Sequence, residues 1–302
     1  MTLYNSVTEA IGHTPLIRLN KLAPAGAEVY VKMEGKNPGG SVKDRAVLSM
    51  INDAEARGQL KKGGTIIEPT SGNTGIAIAM IAAARGYKAI LVMPETMSKE
   101  RQAYLKAYGA QLVLTPGKLG MQGTLDKTQE LLKSTPGAIT LGQFDNPANI
   151  LAHRAGTGKE ILEDLPDVDY VVAGFGTGGT ISGIAWAIKD AGSDAKTIAV
   201  EPAESPLITE GHAGPHKIQG IGANFVPGNL DRSVISEVVT VKGQDAIDTA
   251  RALAREEGIF AGISSGGNVF EAIEIAKKNP GKKVVAILPD GGDKYISTGI
   301  YE

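Results

Sequence analysis

A lysine at the start of a predicted helix is the residue whose type and position most directly indicate chemistry. Lys43 follows the turn of residues 37–42 and precedes apolar residues that recur at helical spacing as far as Ala54. The positive end of a helix dipole disfavours a cation, so this position lowers the pKa of the amine and favours its neutral, nucleophilic form. The alternative is an exposed lysine paired with Glu34 or Asp44, and the motif alone does not choose between the two.

A second turn, Thr70-Ser71-Gly72-Asn73-Thr74-Gly75, lies between a predicted strand and an alanine-rich predicted helix. Hydroxyl groups, an amide and backbone N–H groups at a helix N-terminus form a cradle suited to a carboxylate or another small anion. Ordinary N-capping by Thr70, Ser71 or Thr74 is the alternative. The amide and the two glycines exceed what a cap requires, so the sequence favours a binding turn.

A third turn, Gly174-Phe175-Gly176-Thr177-Gly178-Gly179-Thr180, also connects a predicted strand to a predicted helix. Its glycines let a ligand approach the backbone, and the N–H groups at the helix start favour a phosphate. The turn lacks the Lys-Ser/Thr ending of a nucleoside-triphosphate loop and the Gly-x-Gly-x-x-Gly spacing of a dinucleotide fold. The phosphate of a smaller cofactor suits it better, and a plain tight turn is the alternative.

A fourth turn, Gly262-Ile263-Ser264-Ser265-Gly266, has the Gly-x-Ser-x-Gly spacing of a hydrolase nucleophile. That fold places its histidine after the serine along the chain. The last histidine here is His216, so such a triad cannot be completed and the hydrolase interpretation fails. Ser264 therefore remains as a hydroxyl donor. The four turns together offer an amine, an anion cradle, a phosphate site and a hydroxyl, which are the parts that a pyridoxal-phosphate site needs.

Strands and helices alternate along the chain and position these turns. Continuous apolar strands separated by helices indicate parallel sheets covered on both faces, so the predicted fold class is α/β with two mostly parallel sheets flanked by helices. The segment 142–148 is the best candidate for a boundary between them. The predicted strands are 65–68, 89–93, 111–114, 170–173, 197–200 and 283–288, and the predicted helices are 75–86, 99–108, 123–133, 180–191, 244–257 and 269–278.

Composition excludes several other functions. The 302 residues carry a formal net charge of −2 without a basic block, so we expect no nucleic-acid partner. The longest apolar stretch, 76–84, is too short to span a bilayer, and no signal peptide is visible, so we expect a cytoplasmic protein. The chain has no cysteine and only four histidines. Gly214 and Pro215 break the helical spacing of His212 and His216, so no metal site is expected.

The four motifs, in this order, resemble those of the cysteine synthase (O-acetylserine sulfhydrylase) family. This family is a branch of the tryptophan-synthase-β-like, or fold-type II, pyridoxal-phosphate enzymes. The resemblance extends from Ile11-Gly12-His13-Thr14-Pro15-Leu16 to Leu288-Pro289-Asp290, nearly the whole chain. It implies pyridoxal 5′-phosphate as the cofactor and two domains. These are a smaller mobile domain for the substrate carboxylate, 37–147, and a larger domain for the cofactor phosphate, 13–36 plus 148–302.

The resemblance also implies roles for individual residues. Lys43 carries the cofactor as a Schiff base and later takes the Cα proton of the substrate, while Asn73 binds the ring oxygen and Ser264 faces the pyridine nitrogen. The cofactor phosphate is bound by Gly176, Thr177, Gly178, Gly179 and Thr180. The substrate carboxylate is bound by Thr70, Ser71, Asn73, Thr74 and Gln143.

The implied reaction is a β-replacement in which acetate leaves O-acetyl-L-serine and sulfide adds to give L-cysteine. A neutral Ser264 does not hold a full proton on the pyridine nitrogen, which disfavours transamination and favours loss of the β-substituent. Closure of the smaller domain would exclude water. The family further suggests a homodimer and, for some members, docking of the C-terminal tail of a serine acetyltransferase.

Two departures from the family leave alternatives open. Gly291-Gly292-Asp293-Lys294 stands where relatives commonly have Thr/Ser-Gly-Glu-Arg, and Asn224 stands where glycine is usual. Homocysteine as acceptor, the chemistry of cystathionine β-synthase, shares all four motifs. A non-catalytic homologue that binds a peptide tail is a different class, but mere binding needs no Schiff-base lysine.

Overall fold

The computed structural model of the chain describes residues 3–70 and 72–302. The strands of this part are β1 (Leu16–Arg18), β2 (Glu28–Met33), β3 (Thr65–Pro69), β4 (Lys88–Pro94), β5 (Gln111–Thr115), β6 (Tyr170–Gly174), β7 (Lys196–Pro202), β8 (Glu237–Val241) and β9 (Lys283–Leu288). The α-helices are α1 (Lys43–Ala56), α2 (Asn73–Arg85), α3 (Lys99–Ala107), α4 (Gly120–Ser134), α5 (Pro147–Ala152), α6 (Gly158–Asp164), α7 (Gly179–Asp190), α8 (Gly243–Glu257) and α9 (Ile263–Lys278).

The larger sheet has the strand order β1-β2-β9-β6-β7-β8, and only its edge strand β1 runs antiparallel to its neighbour. Alternate residues of its central strands belong to different cores. Val172 and Val284 pack in one core with residues of α8 and α9, whereas Val171 and Val285 pack in another with residues of α6 and α7. Helices therefore cover both faces, as the continuous apolar strands predict.

The smaller sheet consists of β3, β4 and β5, all parallel. Its core contains Val47 and Ile51 from α1, Ile78 and Ile81 from α2, and Leu91 from β4. The predicted fold class is thereby confirmed. The exact domain boundaries, 37–147 against 13–36 plus 148–302, stay a prediction. None of the helices in the described part of the chain combines the length and the apolar character that a bilayer span requires.

The start of α9 differs from the sequence prediction. We expected this helix from residue 269, but it begins at Ile263, so Ser264 lies in its first turn. Glycine weakens a helix interior, so Gly266 and Gly267 give no local signal for this first part of the helix. Their function is close packing, since a Cβ at Gly266 would lie 2.0 Å from the carbonyl oxygen of Ala246 in α8.

Candidate active site

Lys43 is the first residue of α1, as predicted. Its N–H donates to Ser41 Oγ at 3.2 Å, and the N–H of Val42 donates to the carbonyl oxygen of Pro289 at 2.8 Å, next to the end of β9. Burial lowers the pKa of the Lys43 amine, although the nearby carboxylate of Asp290 opposes this shift. The site thus holds an amine that is easier to deprotonate than an ordinary lysine.

Neither candidate partner from the sequence pairs with Lys43. The carboxylate of Glu34 accepts hydrogen bonds from Arg45 at 2.7 and 2.9 Å. The carboxylate of Asp44 accepts from the N–H of Gly39 at 2.5 Å. Among residues 3–70 and 72–302, no carboxylate forms a salt bridge with Lys43. The exposed, ion-paired lysine that the motif left open is therefore not what the structure shows.

Residues Gly176–Thr180, which we call the phosphate cup, connect β6 to α7. A Cβ at Gly176 would lie 2.4 Å from the carbonyl oxygen of Gly220, and one at Gly179 would lie 2.2 Å from Asn149 Oδ1. Gly178 has a φ of +83°. Only glycine satisfies these positions, so the turn exposes its backbone at the start of a twelve-residue helix.

Lys43 and four of the five residues of the phosphate cup line one cavity. Ser264, 3% exposed, lines it from the first turn of α9. Of the predicted cofactor residues, Gly179 alone is not part of the lining. The lining residues with predicted cofactor roles are Lys43, Asn73, Gly176, Thr177, Gly178, Thr180 and Ser264.

The predicted carboxylate cradle is partly assembled. Thr74 Oγ1 donates to Gln143 Oε1 at 2.7 Å, across 69 residues of sequence. Since α2 begins at Asn73 after Gly72 as the N-cap, neither Thr70 nor Thr74 serves as the cap of this helix. Thr70 is buried beside them, and its N–H donates to the carbonyl oxygen of Val92 at 3.1 Å. Ser71 lies outside the described residues.

Asn149 joins the cradle to the phosphate cup. Its Nδ2 donates to the carbonyl oxygen of Gln143 at 2.8 Å and to Thr177 Oγ1 at 3.1 Å. Asn229 Nδ2 donates to the same carbonyl oxygen at 2.9 Å. Both asparagines are almost fully buried. The backbone of Gln143 is therefore held by asparagines from α5 and from the turn at 228–229, whereas its side chain contacts α2.

Sequence reasoning missed a polar cluster around Asn73. Asn73 Nδ2 donates to Asp290 Oδ2 at 2.8 Å, and Asn73 Oδ1 accepts from Lys294 Nζ at 2.8 Å. Tyr295 OH also donates to Asp290 Oδ2, at 2.9 Å. Burial raises the pKa of Asp290, and its Oδ1 has no hydrogen-bond partner among the described residues. The sequence signal was the departure at 291–294, which showed that this segment was unusual but not what it contacts.

His153 is a second residue that sequence reasoning missed. It lies in a π-helical turn, His153–Thr157, and its ring nitrogens are 2.9 Å from Thr157 Oγ1 and 3.3 Å from Thr180 Oγ1. Burial lowers the pKa of His153 well below its ordinary value. A neutral imidazole therefore supports a threonine of the phosphate cup. A lone histidine in a predicted loop gave no sign of this contact.

The residues fit a small cofactor that carries both an aldehyde and a phosphate. The phosphate cup supplies close-packed glycines at a helix N-terminus, Lys43 supplies a depressed-pKa amine, and one N–H of the Asn73 amide is left for a ring oxygen. Among the described residues there is no group of three or more histidine, aspartate or glutamate side chains that could hold a metal ion. The site is thus of the class that binds a phosphorylated aldehyde through a lysine.

Comparisons with known proteins give the family. Residues 7–290 match the family described as pyridoxal-phosphate dependent enzyme. A cysteine synthase of Staphylococcus aureus is 48% identical over 301 residues, which cover 98% of this chain and 97% of the relative. An O-ureido-L-serine synthase of Streptomyces lavendulae is 49% identical, covering 100% of this chain and 94% of the relative.

A crystal structure of cysteine synthase from Entamoeba histolytica superimposes with a TM-score of 0.96 at 42% identity, covering 99% of this chain and 91% of that chain. The chain belongs to the family of pyridoxal-phosphate-dependent enzymes. The family and the cofactor predicted from the sequence are confirmed. The roles of the individual site residues stay predictions.

Proposed function

We propose that this enzyme forms L-cysteine from O-acetyl-L-serine and sulfide by β-replacement. The carrying observation is the cavity in which Lys43, with its lowered pKa, faces the phosphate cup and Ser264. The sequence prediction of this reaction agrees with the names of the relatives from Staphylococcus aureus and Entamoeba histolytica. When bound, pyridoxal phosphate supplies the electron sink for loss of the Cα proton and of the β-substituent.

The chain's own residues then divide the work between binding and proton transfer. Lys43 would hold the cofactor and would act as the base that takes the Cα proton of the substrate. The phosphate cup anchors the phosphate, and Ser264 presents a neutral hydroxyl to the ring nitrogen. The substrate carboxylate binds to the cradle of Thr70, Ser71, Asn73, Thr74 and Gln143, where the Thr74–Gln143 hydrogen bond already joins two of its members.

A bulkier acceptor is the second candidate. A cavity of about 500 Å³ adjoins the first and shares Asn73, Gln219, Gly220, Asp290 and Tyr295 with it. Sulfide needs no such space. The Streptomyces relative is named for O-ureido-L-serine, whose formation by β-replacement requires hydroxyurea as the nucleophile. Homocysteine, which the sequence left open, is a larger acceptor of the same kind.

Product analysis separates these acceptors. The cofactor-loaded enzyme is incubated with O-acetyl-L-serine and one nucleophile at a time: sulfide, homocysteine or hydroxyurea. We expect the highest kcat/KM with sulfide and cysteine as the product. If kcat/KM is higher with homocysteine or hydroxyurea than with sulfide, that nucleophile is the acceptor and the assignment of sulfide is wrong. Acetate release without any adduct would contradict β-replacement altogether.

The remaining family expectations are also proposals. We propose a cytoplasmic homodimer in which the smaller domain closes over bound substrate, and which accepts the C-terminal tail of a serine acetyltransferase. Sedimentation velocity measures the oligomeric state, and titration with a peptide ending in such a tail measures docking through competition with O-acetyl-L-serine. A monomer, or a peptide without effect, would contradict the respective proposal.

A further inference from the structure

We propose that Lys294 is a positioning residue that fixes the orientation of the Asn73 side chain and connects Gly40 and Asn73 to the C-terminal segment, residues 290–298. The starting point is the polar cluster of Asn73, Asp290, Lys294 and Tyr295. This inference rests on the proposed function in one respect, namely that Asn73 binds the ring oxygen of the cofactor.

Charge determines which way the Asn73 amide points. A lysine ammonium group can only donate, so the atom of Asn73 that it contacts at 2.8 Å must be the amide oxygen. The amide nitrogen is thereby turned toward Asp290 Oδ2, also at 2.8 Å. One of the two N–H bonds of Nδ2 is used there and the other is left for a ligand. If the amide were reversed, N–H would face the ammonium group and oxygen would face the carboxyl group.

Neighbouring residues hold the two ends of this amide. Lys294 and Tyr295 are consecutive residues of the 3-10 helix Gly292–Thr298. Lys294 contacts Asn73 Oδ1, while Tyr295 donates to the same Asp290 oxygen that accepts from Asn73 Nδ2. The C-terminal segment therefore contacts both ends of the Asn73 amide: Lys294 binds the oxygen, and Asp290, held by Tyr295, binds the nitrogen.

Lys294 also reaches the turn that precedes Lys43. Its Nζ donates to the carbonyl oxygen of Gly40 at 2.8 Å, across 254 residues of sequence. Gly40 has a φ of +78°, and a Cβ there would lie 3.2 Å from Lys294 Nζ. Glycine thus provides both the turn conformation and the space for the ammonium group. One cation joins the start of α1, the start of α2 and the C-terminal segment.

The unusual sequence of this segment supports the arrangement. A Cβ at Gly291 would lie 2.3 Å from Asp293 Oδ1, so any larger residue at 291 would displace the Asp293 carboxylate. Burial lowers the pKa of Lys294, although the carboxylates of Asp290 and Asp293 oppose this shift. Gly291 therefore leaves room for the Asp293 carboxylate, and that carboxylate stabilises the charged form of Lys294.

A binding experiment tests the action through Asn73. Wild type, Lys294→Met, Lys294→Gln and Lys294→Arg are compared for affinity toward pyridoxal phosphate and toward its 3-deoxy analogue, which lacks the ring oxygen. The exposed Lys277→Met is the matched control, since Lys277 pairs with Glu274 on the surface. Circular dichroism melting shows that each variant is folded, and Lys294→Gln preserves a donor without charge if Lys294→Met fails to fold.

We expect Lys294→Met to lower the affinity for pyridoxal phosphate by about tenfold, as for loss of a charge-assisted hydrogen bond. The affinity for the 3-deoxy analogue should fall by less than about twofold. Lys294→Arg retains the affinity and Lys277→Met changes neither ligand. An equal loss for both ligands would overturn the inference, because Lys294 would then act on the cofactor through charge or general structure. No loss for either ligand would overturn it too.

Hydrogen exchange tests the proposed connection independently of any cofactor chemistry. In the full chain without cofactor, Lys294→Met should speed amide exchange in residues 39–44 and 73–76 by about tenfold, while Lys294→Arg should not. Unchanged exchange rates in these two segments would contradict the proposed connection of Lys294 to Gly40 and Asn73. If the wild-type protein binds neither ligand through Lys43, the proposed function fails, whereas the exchange result still tests this connection.

Discussion

Lys43 is subject to four effects that act on the same amine. Burial, the charge of Lys294 and the N-terminus of α1 disfavour the ammonium form, whereas the Asp290 carboxylate favours it. The balance lowers the pKa, so a larger fraction of the amine is nucleophilic at neutral pH than for a surface lysine. Because Asp290 itself is held by Asn73 and Tyr295, the reactivity of Lys43 depends on side chains far away in the sequence.

Ser264 gives a prediction about the ring nitrogen. We expect Ser264→Asp to slow release of acetate from O-acetyl-L-serine by about tenfold or more, since a carboxylate would hold a proton on the nitrogen and change the electron sink. Ser264→Ala, which removes the hydroxyl without adding charge, is the control. The measurement is the initial rate of acetate release, together with any pyridoxamine phosphate formed by transamination as a side reaction. Equal rates in Ser264→Asp and wild type would show that ring protonation is not controlled at this position.

The phosphate cup gives a prediction at the level of elements. Gly178 and Gly192 both have positive φ values, +83° and +64°, and lie at opposite ends of α7. A Cβ at Gly178 would lie 2.6 Å from the N atom of Leu230, whereas nothing lies within 4 Å of one at Gly192. Backbone strain is therefore common to both alanine substitutions, and the clash is specific to Gly178.

We expect Gly178→Ala to lose pyridoxal-phosphate affinity by at least about tenfold and to be less stable than Gly192→Ala by about 1–3 kcal/mol. Equilibrium dialysis and urea unfolding measure the two effects. Equal affinities in the two variants would mean that the cup does not bind the phosphate.

The elements that the sequence predicted are those with long, regular patterns. The apolar runs of β3, β4, β6 and β9 identify strands without reference to the rest of the fold. Every predicted element is present, and its ends lie within three residues of the prediction except at the start of α9, which lies six residues earlier. The three-residue β1 and the partly exposed β8 carry too little pattern to be recognised. The early start of α9 depends on its packing against α8, and such contacts are not encoded locally.

The residues of the candidate site likewise fall into those that a local motif identifies and those that it does not. Lys43, the phosphate cup and Ser264 were identifiable because each belongs to a glycine-rich turn before a helix. Asp290 and Lys294 were not, because their roles arise from hydrogen bonds to residues more than 200 positions away. No periodicity or local motif reports a contact of that kind.

A buried ionic network connects the site to the rest of the molecule. Arg45, two residues after Lys43, pairs with Glu34 at 2.7 Å and with Glu160 of α6 at 2.7 Å. Lys32 of β2 pairs with Glu160 at 2.8 Å. The network fixes α1, and with it Lys43, against the larger sheet. Burial alone would raise the pKa of Glu160, but hydrogen bonds from Arg45 and Lys32 lower it well below its ordinary value.

This network gives a prediction about acid stability. Because the folded-state pKa of Glu160 is depressed, its contribution is complete above the unfolded pKa near about 4.3 and is lost as pH falls through the folded value. We expect Glu160→Gln to cost about 3–5 kcal/mol at pH 7, since two buried cations lose a partner, and the cost to shrink below pH 4. Glu163→Gln, in an exposed pair with Lys159 on the same helix, is the control. Urea unfolding at pH 7 and pH 3.5 measures both, and an equal cost at the two pH values would contradict the network's charge dependence.

The most direct test of the whole account is chemical trapping at Lys43. The protein is loaded with pyridoxal phosphate, reduced with borohydride, digested and mapped by mass spectrometry, with Lys43→Ala and Lys294→Arg treated in parallel. The account predicts one pyridoxyl-modified peptide containing Lys43 in wild type and in Lys294→Arg, and no specific label in Lys43→Ala. A label on another lysine, or stoichiometric labelling that persists in Lys43→Ala, would contradict it.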